Sequence, residues 1–502
     1  MILLCFRKLR LCRFGAFALL GLGFILASAS FAQPNEPLEP ANLTLTIFHT
    51  NDLHGHLLPF DYAQIGRAQE QPSVGGAARR ATLIRRLRAE LANPSIVVDA
   101  GDLVQRGPLA STYEGIPDVE TLNAIGYELA VIGNNEFRLK DGGDHLDFVG
   151  AQAALQRLIR ASHFHWITAN IIDANGALLE GVQPYVVRRF NGVRVAFLGL
   201  STPSTGNASQ AKGLTSLDAI AAAKEWIPRA RAESDVLVLV SHLGLTLETK
   251  LVTETTGIDA VVGGHSHTLL REAVVVKNLD GVEVPIVQTG EFGVQLGRFS
   301  LHFARTEPKR WHLASFAYDL LAVGKDIPDA EDVKAILAPY VQPLAEVVAH
   351  LPAVPADPAD AAKFTLQTVA EALRESAKTD LSIAGFGEGL FDRFHQREVT
   401  RYDLNAILAI PHHIATTNLT GAELAALQKT NPLLLIFGLN GLVPERTYSV
   451  ALFDTIAINV YKLPESRLHD TGINAREAVL HFLNSQSADV PKAELNTTAH
   501  PD

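Results

Sequence analysis

Between residues 43 and 323 the chain alternates short, strongly apolar runs with longer stretches whose apolar positions recur at helical spacing. Five runs have strand character: LTLTIF from Leu43, SIVVDA from Ser95, LAVI from Leu129, DVLVLV from Asp235 and IDAVV from Ile258. Gly76–Ala92 places Ala77, Leu83, Ile84, Leu87 and Leu91 at helical spacing against an arginine-rich face, which predicts an amphipathic helix. Ala151–Ala161 and Leu217–Ala232 read as further helices, the second carrying Pro228, which predicts a kink or an early end. Alternation of this kind predicts an α/β layer fold whose strands are buried on both faces.

From Asp326 the pattern changes. Asp326 to Tyr340 reads as an exposed helix, and Pro352, Pro355 and Pro358 then interrupt regular structure, marking residues 326–360 as an interdomain connection. Beyond it, Phe364–Ala377 reads as a helix, Asp380–Ala384 as a strand and Leu419–Lys429 as a helix introduced by Thr420. The expected organisation is one domain over residues 42–325, a smaller one over 361–485 and a polar tail over 486–502. The later apolar run from Pro432 to Val443 is too short to span a bilayer and reads as core.

The amino terminus is a separate object. Arg7, Lys8, Arg10 and Arg13 precede an apolar stretch from Phe14 to Leu26 that closes on Ser30-Phe31-Ala32, the layout of a secretory signal peptide over residues 1–32 cleaved after Ala32. A retained anchor is the alternative, and the short apolar core argues against it. Both cysteines, Cys5 and Cys12, fall in this segment, so removing 32 of the 502 residues leaves a chain of 470 without thiol or disulfide. Four positive charges and no negative ones leave with it, moving the formal net charge from −11 to −15. An acidic balance disfavours nucleic acid as a partner, and the expected location is secreted or periplasmic with no stable membrane anchor.

Candidate chemistry collects where the strand-like runs end. Asp52 and His54 stand one residue apart before Gly55; Asp102 follows Gly101; Asn134 follows Gly133; His242 ends its run; His265 and His267 flank Ser266 after Gly263-Gly264. Taken singly each is weak, because D-x-H and GD occur widely and a lone histidine is more often structural. Taken together they place carboxylates, imidazoles and an amide at successive strand ends, where open α/β sheets build their sites. A carboxylate such as that of Asp102 has two oxygens and suits bridging a metal pair roughly 3.5–4 Å apart. Without thiolates the set suits two divalent ions of the Zn, Mn or Fe class.

The order D-x-H, GD, GN-x-E, SH, GHSH resembles the calcineurin-like metallophosphoesterases, specifically the secreted 5′-nucleotidase branch with its UDP-sugar hydrolases and 2′,3′-cyclic-nucleotide phosphodiesterases. HTNDLHGHLLPF, GGAARRATLIRRLR, LNAIGYELAVIGNNEF, FHWITANI and IVQTGEFGVQLGR look like that branch, as do VTRYDLNAIL, LTGAELAAL and DTGINAREAVLHFL further on. The resemblance implies a four-layer αββα metallophosphatase sandwich with a second, smaller α/β C-terminal domain. It also implies one metal site of Asp52, His54, Asp102 and His267 and another of Asp102, Asn134, His242 and His265. The two metals would activate a water for attack on phosphorus, in a small phosphate ester or nucleotide-like substrate.

Several positions depart from that pattern. In the family the asparagine ligand is followed by a histidine that assists the leaving group, oriented by an aspartate three residues on; here those positions hold Asn135 and Arg138. An amide donates no proton at neutral pH, so either the enzyme is degenerate or Asn135 or Arg138 stabilises phosphoryl charge by hydrogen bonding alone. In the second domain, the segment from Ala384 to Leu390 lacks the family's arginine, and LFDTIAINVYKLPESRLHD lacks its nucleobase-stacking segment. Phe386 and Tyr461 read as core aromatics before stacking platforms, and His412 and His413 as solvated loop residues. The leading expectation is a two-metal phosphate-ester hydrolase of 5′-nucleotidase type with altered substrate or reduced activity. The alternatives are hydrolysis of another ester, as in the thiosulfohydrolases this branch also resembles, and a non-catalytic metal- or ligand-binding protein.

Overall fold

Period-2 alternation inside the apolar runs decides the layers. In strand Val193–Ser201, Val193, Val195 and Phe197 enter one core while Ala196, Leu198 and Leu200 enter another. Strand Val236–His242 divides in the same way, with Val236, Val238 and Val240 on the first side and Leu237 and Leu239 on the second. The computed structural model describes residues 41–62, 71–138, 148–203, 213–307, 310–387, 389–431, 434–438 and 441–486. The expected signal peptide lies outside them, as do all but the first residue of the expected tail.

The core shared by Val195 and Val238 lies between two sheets, since Leu43, Leu45, Ile47, Ile96 and Val98 meet it from the opposite side. One sheet has seven strands in the order Arg310–Ala322, Gln295–Glu307, Asn42–Thr50, Ser95–Asp99, Leu129–Val131, His165–Ile167, Val182–Gln183. The other has six, in the order Val274–Lys277, Glu283–Val287, Ala260–Gly263, Val236–His242, Val193–Ser201, Tyr185–Phe190. Phe48, Val97, Ala130 and Trp166 on the outer face of the first sheet pack on helices Ala77–Glu90, Ile116–Ile125 and Phe148–Ala161. The outer face of the second packs on helices Ala219–Glu233 and Leu245–Thr253. The layers therefore run helix, sheet, sheet, helix. Each fully buried Val or Leu contributes about 1.5–3 kcal/mol relative to exposure, and strands apolar on both faces gain it twice over.

Parallel pairing sets where the functional loops fall. Asn42–Thr50 pairs parallel with Ser95–Asp99, which pairs parallel with Leu129–Val131. In the facing sheet Val193–Ser201, Val236–His242 and Ala260–Gly263 are likewise parallel. The carboxyl ends of both sets carry the candidate ligands.

The smaller α/β domain has its own sheet, ordered Gly389–Leu390, Leu381–Phe386, Thr447–Phe453, His413–Thr420, His469–Asn474, with Leu435–Phe437 also paired to Leu381–Phe386. Helices Pro358–Ala377 and Ala475–Gln486 cover it, through Leu366, Val369, Leu373 and Val479. Thr420 caps its helix as expected, in a reciprocal capping box with Glu423. Among the described residues, no helix is long and apolar enough to cross a membrane.

Four local expectations are corrected. The helix after residue 326 is Glu331–Val341, and Val333 and Leu337 are buried in the first domain's helical core rather than exposed. Pro358 does not interrupt structure; it opens helix Pro358–Ala377, where its missing N–H costs nothing, and Asp357 caps the turn. Pro228 neither ends nor shortens its helix, which runs on to Glu233. His412 and His413 are buried, not solvated: His412 tilts over Phe453 with ring centres 4.7 Å apart and bonds Thr455 Oγ1 at 2.7 Å, while His413 opens a central strand. Tyr461 lies in the core of this domain and Phe386 packs against it, as expected of core aromatics.

Candidate metal centre

The turns that follow the strands are tightly wound. Asp52, His54, Asp102, His265 and His267 all have positive φ, between 48° and 77°, a conformation that side-chain-bearing residues adopt rarely and that clusters at functional sites. Glycines make the close approach of these turns feasible. A Cβ on Gly133 would lie 2.2 Å from Asp102 Oδ1, and one on Gly101 would lie 2.7 Å from His242 Nδ1.

Two groups of side chains converge. Asp52, His54 and His267 offer one atom each within 4.8 Å of one another, and Asp102, His242 and His265 do the same. The groups adjoin: His54 Nε2 is 3.8 Å from both Asp52 Oδ1 and Asp102 Oδ2, and His242 Nε2 is 3.2 Å from Asp102 Oδ2 and 4.0 Å from Asp52 Oδ1. His267 Nε2 stands 3.3 Å from Asp52 Oδ1 and 3.1 Å from His54 Nε2. Asp52 Oδ1, Asn134 Oδ1 and His242 Nε2 are buried with no hydrogen-bond partner. Buried polar atoms without partners are costly, and cations held by the two groups would offset that cost. The donor set therefore fits divalent metal ions.

Outer partners fix which ring nitrogen faces inward. His242 Nδ1 is 2.8 Å from the Ala100 carbonyl, which accepts its proton and leaves Nε2 for the site. His267 Nδ1 pairs with Glu291 in the same sense. The Asp52 carboxylate accepts from Asn51 Nδ2 at 2.7 Å and the His265 N–H at 2.9 Å, both on Oδ2, so Oδ1 remains directed inward. Asn51 is itself held, accepting from the Thr289 N–H and hydroxyl at 2.8 Å.

The electrostatics favour positive charge here. Burial opposes a charged His242, but Asp102, Asp52 and Glu136 prevail and raise its pKa to about 10. Burial likewise opposes a charged His267, and Asp52 and Glu291 raise it to about 9. Burial and the charge of His242 push His265 down to about 4. Burial would raise Asp102, yet His242 and His54 hold it well below the ordinary carboxylate range. A divalent metal held by these residues would supply the positive charge in place of these protons.

Asn135, one of the two residues considered for a phosphoryl contact, is turned to Asp102, donating from Nδ2 to Oδ2 at 2.5 Å and from its backbone N–H to Oδ1 at 2.8 Å. Arg138 closes the 3-10 turn Asn135–Arg138, and its side chain lies outside what the structure describes. Two carboxylates beside the site, Glu136 and Glu291, carried no assignment from the sequence. Glu136 accepts from the N–H groups of Gly133 and Leu103 at 2.7 Å and of Asp102 at 3.2 Å, clamping two strand ends together. Its position in GN-x-E was the available signal, as TGEFG was for Glu291.

The sheet sandwich brings two Asp/His groups together at its strand ends, and residues 45–269 match the calcineurin-like phosphoesterase family. That stretch of the chain is a calcineurin-like phosphoesterase domain. The trifunctional nucleotide phosphoesterase protein YfkN of Bacillus subtilis (strain 168) is 29% identical over 310 residues, covering 56% of this chain and 20% of that protein. The 5′-nucleotidase of Bos taurus is 27% identical over 340 residues, covering 64% of this chain and 54% of its own length. The chain thus spans about half the length, or less, of these curated relatives. The 5′-nucleotidase precursor of Thermus thermophilus shares the fold, with a TM-score of 0.72 at 24% identity over 88% of this chain and 96% of that one.

Proposed function

We propose that this protein is an exported two-metal hydrolase of phosphate esters, of 5′-nucleotidase type, acting on a small nucleotide-like substrate. The observation that carries the reading is the convergence of the two Asp/His groups on unpartnered buried atoms. Asp52, His54 and His267 would hold one ion and His242, His265 and Asn134 the other, with Asp102 between them. When bound, divalent ions of the Zn, Mn or Fe class supply Lewis-acid polarisation of the phosphoryl group and an activated water.

The residues around them do the positioning. Glu291 and the Ala100 carbonyl hold the imidazoles of His267 and His242 in the ligating orientation, and Asn135 sets both oxygens of Asp102. Because its amide is engaged there and has no proton to transfer, activity falls mainly on substrates whose leaving group needs little protonation.

Metal analysis of the mature protein, joined to a hydrolysis panel of AMP, UDP-glucose, 2′,3′-cyclic AMP, an aryl phosphate diester and a thiosulfate ester, tests the proposal. Two metals per chain with turnover of a phosphate ester is the expected result. Turnover of the thiosulfate ester alone, or none with both metals loaded, would overturn it.

A further inference from the structure

The loop after Asp102 carries a cation that the metal chemistry does not use. Asp102 and Leu103 accept at 2.9 Å from the N–H groups of His54 and Gly55, so the loop lies along the Asp52–Gly55 turn. Contact there is tight, because a Cβ on Gly107 would fall 2.0 Å from the Gly55 carbonyl oxygen. Between these fixed points Gln105 and Arg106 take consecutive positive φ values of 71° and 70°. Strain of that kind in two adjacent residues with side chains costs free energy and points to a function for what it presents.

What it presents is the Arg106 guanidinium. Its Nε is buried without a hydrogen-bond partner, and among the described residues no carboxylate forms an ion pair with it. The ring of Phe391, from the second domain, lies 5.9 Å from its central carbon. Because the loop leaves directly from Asp102 and its carbonyls are bonded to the His54 and Gly55 N–H groups, residue 106 stands beside the turn that bears Asp52 and His54. Two divalent ions would bring four positive charges against the carboxylates of Asp52, Asp102, Glu136 and Glu291, and Arg106 adds a fifth. A cation without a carboxylate beside such a centre is unfavourable until an anion arrives.

We propose that Arg106 contacts the substrate phosphoryl group, donating to one of its oxygens and favouring a dianionic phosphate monoester over a monoanionic diester. This rests on the two-metal hydrolase reading and adds a charge selector to it. The planar fork of guanidinium donors matches phosphoryl oxygens, and the Phe391 ring supports its flat face without neutralising it.

The test uses the full mature protein with its metals, comparing the parent with Arg106→Gln and Arg106→Lys. The readouts are kcat and KM for p-nitrophenyl phosphate and bis(p-nitrophenyl) phosphate, affinity for inorganic phosphate by calorimetry, and metal content. Loss of one charge-assisted contact predicts that R106Q loses roughly 10- to 100-fold in kcat/KM on the monoester and in phosphate affinity, and only a few-fold on the diester. R106K is expected to recover part of both while metal content stays unchanged. Equal losses on the two esters, or unchanged phosphate affinity in R106Q, would overturn the proposal. Should the metal-loaded parent hydrolyse neither ester, the hydrolase reading fails, and phosphate affinity alone still decides the role of Arg106.

Discussion

Asn135 grips Asp102 with both of its nitrogens, the backbone N–H on Oδ1 at 2.8 Å and the side-chain amide on Oδ2 at 2.5 Å. Asp102 lies between the two candidate metal groups, so its orientation affects both. In the fold family this position is expected to carry a proton donor for the leaving group; here it carries a donor turned toward the Asp102 carboxylate.

This relationship predicts a strong dependence on leaving-group basicity. Across a series of substituted aryl phosphates, the rate of the metal-loaded protein is expected to fall steeply as the leaving-group pKa rises. General acid assistance contributes roughly 10²–10⁴-fold. The double replacement Asn135→His with Arg138→Asp is therefore expected to raise turnover of poor leaving groups such as AMP within that range and to flatten the series. A flat series in the parent would contradict the prediction.

Glu291 stands one step removed from the candidate metal ligands, paired with His267. Its carboxylate fixes the His267 tautomer, and outer partners of this kind affect metal affinity roughly 10- to 100-fold. Glu291→Gln is expected to weaken one ion by that factor while the other, held by His242 and His265, keeps its affinity. Stepwise chelator titration followed by metal analysis distinguishes the two; uniform loss of both ions would argue against this division.

Glu136 serves folding more than chemistry. Its two oxygens accept backbone N–H groups from both the 102–104 and the 133 turns, and burial, with Asp102 beside it, raises its pKa to about 7. Glu136→Ala leaves those N–H groups buried without acceptors and is expected to destabilise by roughly 3 kcal/mol or more. Denaturant unfolding measures it, and a change under about 1 kcal/mol would mean that the turns find other acceptors.

Much of the candidate site was legible because its residue types are those suited to metal ligation. Asp52, His54, Asp102, His242, His265 and His267 announced themselves by standing at successive strand ends, and parallel pairing did bring those ends together. The layers were legible too, since Val236–His242 is apolar on both faces and needs a sheet on one side and helices on the other. What escaped depends on distant contacts. Nothing local marks Arg106, because its setting is completed by Phe391, far away in the chain. His412 and His413 read as loop because polarity suggested exposure, whereas the adjoining strand and Phe453 bury them. Pro358 is the exception, since its signal is local: Asp357 followed by proline is a cap and first-turn pair that starts a helix.

His49 supplies a pH dependence separate from metal binding. It is fully buried in the strand before the metal turn, with both ring nitrogens unpartnered and its ring stacked 5.8 Å from Tyr318. Burial lowers its pKa from 6.5 to about 3. The unfolded chain takes up a proton near pH 6.5 that the folded chain refuses until near pH 3, so the neutral buried ring contributes fully above 6.5 and its contribution is lost as pH falls toward 3. The whole loss is on the order of 5 kcal/mol, and about 2–3 kcal/mol of it has occurred by roughly pH 4.5. His49→Leu removes the titrating group together with two unpartnered nitrogens and the stack on Tyr318, which act in opposite senses near neutrality, so the change with pH is the readout. On acidification to about pH 4.5 the variant should gain about 2–3 kcal/mol relative to the parent. Denaturant unfolding of both proteins at the two pH values measures the difference, and parallel losses of stability would show that His49 is not the group responsible.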